Sequence, residues 1–430
     1  MSEKEILRNI VADSQSRELP AMWRRFLQVP TDSGKIVTLT GVRRSGKTYH
    51  LFQVMKDLEK QGVSREKMLY FNFEDERLTL TSDKLEMILE VFREENPELD
   101  LAECYFLFDE IQEVDGWEKF ILRVYETISK HVFVTGSNAK LLSSEIATPL
   151  RGRNITYEVY PLSFAEYVEI LSPGLNPSRS MDKAKLVKLF EAFMYQGGFP
   201  ELVKADDELR NKILQEYFNV MVMRDLIERY QIGNSSTLKY FCKRVIGASG
   251  GEFSVNKIYN ELKSQGYQVS KDTLYLYQDY VETIHLNRYV NKYSHSVVKS
   301  ESSQKKTYVI DTGLGSSVDF KLGKDVGRLL ETMVALELLK QGKQIAYQQN
   351  GFECDFVVID KGFVSCAIQV TANVSEPKTL EREIKGLVQT CLKNDLKEGV
   401  IITVDYGEEV ETDGVKIKIV PVWRYFYHSF

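Results

Sequence analysis

No run of eighteen apolar residues occurs anywhere in the sequence, so no membrane-spanning helix is expected. The opening MSEKEILRNIVADSQ is charged and has no apolar stretch of the kind a secretory signal requires. Cysteine is scarce, and its five positions (104, 242, 354, 366 and 391) have no paired spacing suited to a disulfide framework or a zinc site. Free thiols in a reducing compartment are the simple expectation, which places the protein in the cytoplasm. A basic excess is also missing: the net charge of -6 argues against a protein that coats nucleic acid over its whole surface. No internal repeat and no long low-complexity tract is found, so repeat arrays are not expected.

What remains is a folded composition, 43% apolar and 27% charged. At 430 residues the chain exceeds one ordinary core. From Lys35 to about Pro161, short apolar runs alternate with helical stretches. The runs KIVTLTG (35–41), KMLYFNF (67–73), CYFLFDE (104–110) and HVFVTGS (131–137) are nearly continuously apolar. That pattern suits strands buried on both faces of a parallel sheet. Helical patterns at 48–62 and 117–129 lie between them, which makes the region a doubly wound α/β unit.

One segment carries definite chemistry. Gly41-Val42-Arg43-Arg44-Ser45-Gly46-Lys47-Thr48 satisfies the phosphate-loop pattern in full, after a predicted strand and at the start of a predicted helix. The glycines let consecutive main-chain amides turn inward onto phosphate oxygens, and the positive end of the following helix adds to that field. Lys47 is expected to reach the β- and γ-phosphates, and the Thr48 hydroxyl to ligate Mg²⁺. About sixty residues on, an apolar strand ends in Asp109-Glu110. Asp109 is the expected Mg²⁺ partner and Glu110 the group that polarises the attacking water. A pure nucleotide holder has no need of the second acid. Ser137 or Asn138, at the tip of the next strand, is the candidate contact to the γ-phosphate. Arg153, and after it Arg151, is the candidate arginine finger, acting in its own chain or towards a neighbouring copy.

The order of these motifs, continued by RGR, YPLSFAEY and GGFPELV (197–203), resembles the AAA-type ATPases of bacteria and archaea. More closely it resembles those joined to a C-terminal domain of the DUF4143 kind. That resemblance implies an ATPase core using ATP and Mg²⁺, a winged-helix segment and a C-terminal α/β domain similar to restriction-endonuclease-like nucleases. ATP over GTP also rests on it, since no Asn-Lys-x-Asp guanine-reading motif is found. The expected divisions are 1–160 for the P-loop core, 161–240 for a helical lid or linker, 241–311 for the winged helix and 312–430 for the nuclease-like domain.

Residues 253–311 read, on their own pattern, as helix, turn, second helix (about 270–285) and a hairpin with a serine-rich tip. The stretch 286–306 carries Arg288, Lys292, Lys299, Lys305 and Lys306 against one acid, Glu301. That local excess makes double-stranded DNA a candidate partner for 270–306. The second helix itself carries Asp272, Asp279 and Glu282 beside Lys271, which favours a protein contact instead. In the tail, Glu331 and Asp355 match two acids of a nuclease site, with Glu353 close by. The position of its third acid and lysine reads Gln369-Val370-Thr371, so two of four groups are missing.

The reading is therefore an ATP-driven conformational switch whose C-terminal half recognises a partner. Its rivals are an ATP-gated, metal-dependent DNA nuclease and a small-molecule kinase on the same loop. A homo-oligomer or a protein partner is admitted, and a membrane is not.

Overall fold

The structure, a computed structural model, describes residues 2–137, 150, 152–294, 296–349, 351–372 and 377–427. It divides into two compact units, Met1–Val159 and Tyr160–Phe430.

In the first unit the elements run α1 (Glu3–Ser16), β1 (Ile36–Thr40), α2 (Lys47–Lys60), β2 (Met68–Asn72), α3 (Glu86–Glu95), β3 (Tyr105–Asp109), α4 (Trp117–Thr127), β4 (His131–Gly136) and β5 (Asn154–Glu158). The strands are all parallel, in the order β2-β3-β4-β1-β5. Their continuous apolarity has a simple cause. Val37, Leu39, Leu107 and Phe133 pack with Leu51, Val54, Met55 and Leu58 of α2. The alternate residues Ile36, Phe106, Phe108, Val132 and Val134 pack with α1, α3 and α4. Side chains alternate across a strand, so a sheet covered on both faces must be apolar at every position. Each such Leu or Phe withdrawn from water contributes about 1.5–3 kcal/mol.

The four expected strands are present. β5 was not expected, because all five of its residues are only half-buried at the sheet edge. Helix α1 was not expected either, although Ser2 and Glu5 form a capping box over it and Leu7, Ile10 and Val11 form its buried stripe.

The second unit opens with the helices α5 (Phe164–Leu171), α6 (Ser180–Gln196), α7 (Asp207–Val220) and α8 (Ser235–Gly247). Next come β6 (Gly251–Phe253), α9 (Val255–Ser264), α10 (Lys271–Thr283), β7 (Asn287–Val290) and β8 (Lys305–Val309). The three strands make an antiparallel sheet in the order β6-β8-β7. After α11 (Thr312–Val318) and α12 (Val326–Lys340) come β9 (Gln344–Gln349), β10 (Glu353–Asp360), β11 (Phe363–Thr371), α13 (Pro377–Lys393), β12 (Glu398–Thr403), β13 (Glu408–Thr412) and β14 (Val415–Pro421). These strands form a six-stranded mixed sheet, β13-β14-β12-β11-β10-β9. The edge strand β13 was not anticipated, because its EEVET sequence is acidic and almost wholly exposed.

The GGFPE segment has a structural explanation. The amide of Gly198 donates to Asp311 Oδ2 at 2.7 Å, while Asp311 Oδ1 caps α11 through the Leu314 amide. A side chain at Gly197 would meet Asp311 Oδ1 at 2.2 Å, so the close approach demands glycine.

Candidate functional site

The phosphate loop leaves the C-terminal end of β1 and enters α2. Arg44 (φ 69°) and Gly46 (φ 100°) adopt left-handed conformations between neighbours that do not, which turns successive amides to one side. A Cβ on Gly41 would lie 2.2 Å from the carbonyl oxygen of Val159, so only glycine lets the loop pass there. Helix α2 begins at Lys47, and the first amides of a helix have no acceptor within it. The loop is therefore a concave set of donors at the positive end of a helix.

Lys47 is turned into that concavity with its side chain 3% exposed. Its Nζ lies 3.2 Å from the Gly41 carbonyl, 3.4 Å from that of Val42 and 3.4 Å from Glu110 Oε1. The two carboxylates arrive from the end of β3, next to β4. Asp109 accepts from Tyr70 Oη at 2.8 Å, from the hydroxyl of Thr135 and from the hydroxyl of Thr48. Burial, reinforced by the charge of Glu110, raises the Asp109 carboxyl above the usual range. Burial also pushes Glu110 up, but the Lys47 charge, the hydrogen bond from Gln112 and the Arg43 charge outweigh it and hold its carboxyl low. Glu110 stands at φ 52°, a left-handed position that costs a non-glycine residue about 1–3 kcal/mol.

The hydroxyl of Thr135 organises both acids. It donates to Asp109 Oδ1 and accepts the Glu110 amide at 2.9 Å. Thr135 is not among the expected contacts, which fall on its neighbours Ser137 and Asn138; a hydroxyl near the end of the adjacent parallel strand is the signal that points to it. Two buried hydroxyls, Ser45 Oγ and Ser137 Oγ, have no hydrogen-bond partner among the described residues. The Ser45 hydroxyl, orphaned inside the loop that carries the buried ammonium, suits an anionic oxygen ligand. The hard oxygens of Thr48 and Asp109 suit Mg²⁺.

The remaining candidates fall differently. Arg153 precedes β5, whose first residue pairs with Ile36 at the start of β1, whereas the loop leaves the far end of that strand. Its guanidinium is paired with Glu126 at 2.8 Å. The sheet therefore separates Arg153 from the phosphate loop of its own chain, which corrects its reading as a finger acting in cis. Asn138 and Arg151 lie outside the described residues.

The tail acids come together with a partner that sequence spacing did not supply. Lys306 of β8 places Nζ 3.0 Å from both Glu331 Oε1 and Asp355 Oδ1, and 3.3 Å from Glu353 Oε1. The lysine counted as missing at Thr371 is thus present, delivered by another strand. It fills the space between the two acids rather than standing beside a metal position, and its side chain is 4% exposed. Gln369 is engaged as well: its Oε1 accepts the Asp355 amide and its Nε2 donates to Glu383. Among the described residues no group of three His, Cys, Asp or Glu could hold a metal ion.

Burial of Lys306 also takes one cation out of the local excess counted over 286–306. Arg288 is withdrawn too: its guanidinium lies over the ring of Tyr160, and burial lowers it to about 10. Of the five cations, Lys306 is therefore not available to phosphates and Arg288 is only half-exposed. Among the described residues no helix is long and apolar enough to cross a membrane.

The family model of the AAA domain (AAA_14) matches residues 33–168. Residues 187–325 match a domain of unknown function, DUF8612, where the resemblance had implied DUF4143. The uncharacterized protein MJ1544 of Methanocaldococcus jannaschii is 34% identical, covering 98% of this chain and 94% of its own length. An uncharacterized protein of Haemophilus influenzae is 30% identical over 91% and 94%. Among solved structures, the Walker-type ATPase PABY2304 of Pyrococcus abyssi aligns with 74% of this chain and 96% of its own, at 14% identity and a TM-score of 0.43. The Aeropyrum pernix ORC1 protein, solved in complex with DNA, covers 75% of this chain and 91% of its own, at 15% identity and a TM-score of 0.27. By identity and coverage the chain belongs to the same family as MJ1544 and the Haemophilus protein, and its first unit is an AAA-type P-loop fold.

Proposed function

We propose that this chain binds ATP with Mg²⁺ on residues 41–48, hydrolyses it, and uses the nucleotide state to switch a C-terminal half that recognises a partner. The observation that carries the reading is the Lys47 ammonium, buried within the phosphate loop beside the Gly41 and Val42 carbonyls and 3.4 Å from Glu110. Held by the Gly41 and Val42 carbonyls and paired with the Glu110 carboxylate, this ammonium stands at the positive end of α2, where a phosphate oxygen can join its coordination.

The roles follow from the geometry. Main-chain amides of the loop, from Gly41 through Val42, Arg43, Arg44 and Ser45 to Gly46, cradle the phosphate oxygens, with Lys47 neutralising charge. Thr48 and Asp109 offer the oxygens for Mg²⁺. When bound, the nucleotide and its metal supply the electrophilic phosphorus. Glu110, kept ionised by Lys47, Gln112 and Arg43, accepts a proton from water at its carboxylate. Ser137 supplies a free hydroxyl to the terminal phosphate. The match to the AAA domain model supports ATP over GTP.

The segment from α8 to β8 runs helix, strand, two helices and a hairpin, which we read as a winged helix. Helix α10 exposes Tyr275 and Leu276, at 48% and 50%, beside Asp272 and Asp279. Apolar side chains among acids favour a protein partner over a phosphate backbone. A nuclease reading is not favoured, since a metal would have to displace Lys306 from between Glu331 and Asp355.

Titration of the protein with a fluorescent ATP analogue and Mg²⁺ tests the site. Saturable binding that Lys47→Ala removes is the expected result. Unaltered binding by that variant would place the nucleotide elsewhere.

A further inference from the structure

The irregular segment between α1 and β1 contributes to the loop in a way no motif describes. It is strapped along α2 by side chains on one helical face. Arg24 forms a two-pronged ion pair with Asp57, at 2.9 and 3.2 Å. Gln53 grips the backbone of Arg25 at both ends: Oε1 accepts its amide at 2.8 Å and Nε2 donates to its carbonyl at 3.2 Å. His50 Nε2 lies 3.4 Å from the Leu27 carbonyl. His50, Gln53 and Asp57 are spaced three and four residues apart, so they face the strap together. So anchored, Arg25 is 8% exposed and its Nη1 donates to the carbonyl oxygen of Ser45 at 2.9 Å.

That carbonyl belongs to the peptide unit whose other end is the Gly46 amide. In a planar trans peptide, C=O and N–H point in opposite directions. A peptide next to glycine turns over at low steric cost, because glycine accepts either sign of φ. Gly46 stands at φ 100°, which other residues rarely adopt. The orientation of this peptide therefore needs an external tie. Holding the Ser45 oxygen on the strap side aims the Gly46 N–H away from the strap, into the concave face where Lys47 lies.

We propose that Arg25 is a positioning residue for triphosphate binding: through the Ser45 carbonyl it locks the Ser45–Gly46 peptide with its amide facing the phosphates. The proposal rests on the nucleotide reading of residues 41–48. Its effect falls on binding and leaves water activation at Glu110 untouched.

The test compares wild type with Arg25→Met, Arg25→Lys, Gln53→Met and Lys47→Ala, measuring Kd for MgATP, KM and kcat for phosphate release, and thermal midpoint. Arg25→Met keeps the apolar stem and removes the donor, and it should raise Kd and KM about ten- to a hundred-fold, the scale of a lost charged hydrogen bond. Its kcat at saturating ATP should stay within about threefold of wild type. Arg25→Lys restores a donor and should recover most of the affinity. Gln53→Met loosens the strap and should move Kd in the same direction by less, which keeps the question answerable if Arg25→Met does not fold. A lowered thermal midpoint with Kd unchanged in folded Arg25→Met or Gln53→Met would overturn the proposal, as would a loss confined to kcat. Failure of wild type to bind MgATP, or binding by Lys47→Ala equal to wild type, would instead overturn the nucleotide reading beneath it.

Discussion

Replacing Lys306 by methionine is expected to weaken the second unit more than any exposed charge removal. Methionine matches the length of the stem and deletes only the ammonium. In the native protein that ammonium stands 3.0 Å from each of Glu331 and Asp355, whose side chains are 13% and 8% exposed. Removing one partner of a buried pair costs about 3–5 kcal/mol, because the other charge is left without compensation. The third contact, Glu353, is 54% exposed and adds about 0–1 kcal/mol at most. Each acid keeps one neutral donor, Tyr308 Oη for Glu331 and the Val370 amide for Asp355, which places the expected loss near 3 kcal/mol rather than 5.

The loss should depend on pH in a definite direction. Burial and the charge of Asp355 push Glu331 up to about 7, against an ordinary value of 4.5. A raised acid binds its proton more readily folded than unfolded, so this group's contribution is full below about 4.5 and is lost as pH rises through 7. Without the lysine Glu331 holds its proton more tightly still. The destabilisation should thus be smaller at pH 5.5 than at pH 8. Urea unfolding at the two pH values, with hydrogen exchange of β8 and β10, measures it. Lys306→Met/Glu331→Gln/Asp355→Asn, which removes all three charges, should regain most of the stability. A loss below about 1 kcal/mol at pH 8, or one that grows on acidification, would refute the argument.

Two further outcomes follow from the first unit. Thr135→Val takes a donor from Asp109 and strands the buried Glu110 amide, so it should cost about 2–4 kcal/mol and raise the Mg²⁺ concentration needed for ATP binding. Urea unfolding and a Mg²⁺ titration read both, and an unchanged Mg²⁺ requirement would count against Thr135 as organiser of the acids. Gly41→Ala drives a methyl to 2.2 Å from the Val159 carbonyl and should abolish MgATP binding while lowering the thermal midpoint. Normal binding by that variant would mean the loop does not depend on the close passage beside β5.

How much of this was legible in the sequence depended on how local the signal was. β1 to β4 could be read because burial on both faces makes them continuously apolar. β5 and β13 could not, since an edge strand with half-exposed or acidic residues looks like loop. The phosphate loop was plain because its glycines and lysine are fixed by backbone geometry within eight residues. Thr135, Tyr70 and Arg25 were not, because each acts through hydrogen bonds on positions distant in the sequence. Lys306 shows the same limit from the other side. Spacing along the tail implied a missing cation, whereas the chain supplies it from 49 residues upstream of Asp355. Charge counting over 286–306 overstates the available cations for a related reason: Lys306 is buried among acids and Arg288 is half-buried over the Tyr160 ring.

The central claim is that Lys47, Thr48, Asp109 and Glu110 form one site that holds and cleaves a nucleoside triphosphate. Single-turnover phosphate release from radiolabelled MgATP by Glu110→Gln, with bound nucleotide measured in the same samples, addresses it most directly. Retained binding with cleavage slowed about 10²–10⁴-fold is the predicted result. Cleavage at the wild-type rate by this variant would contradict it.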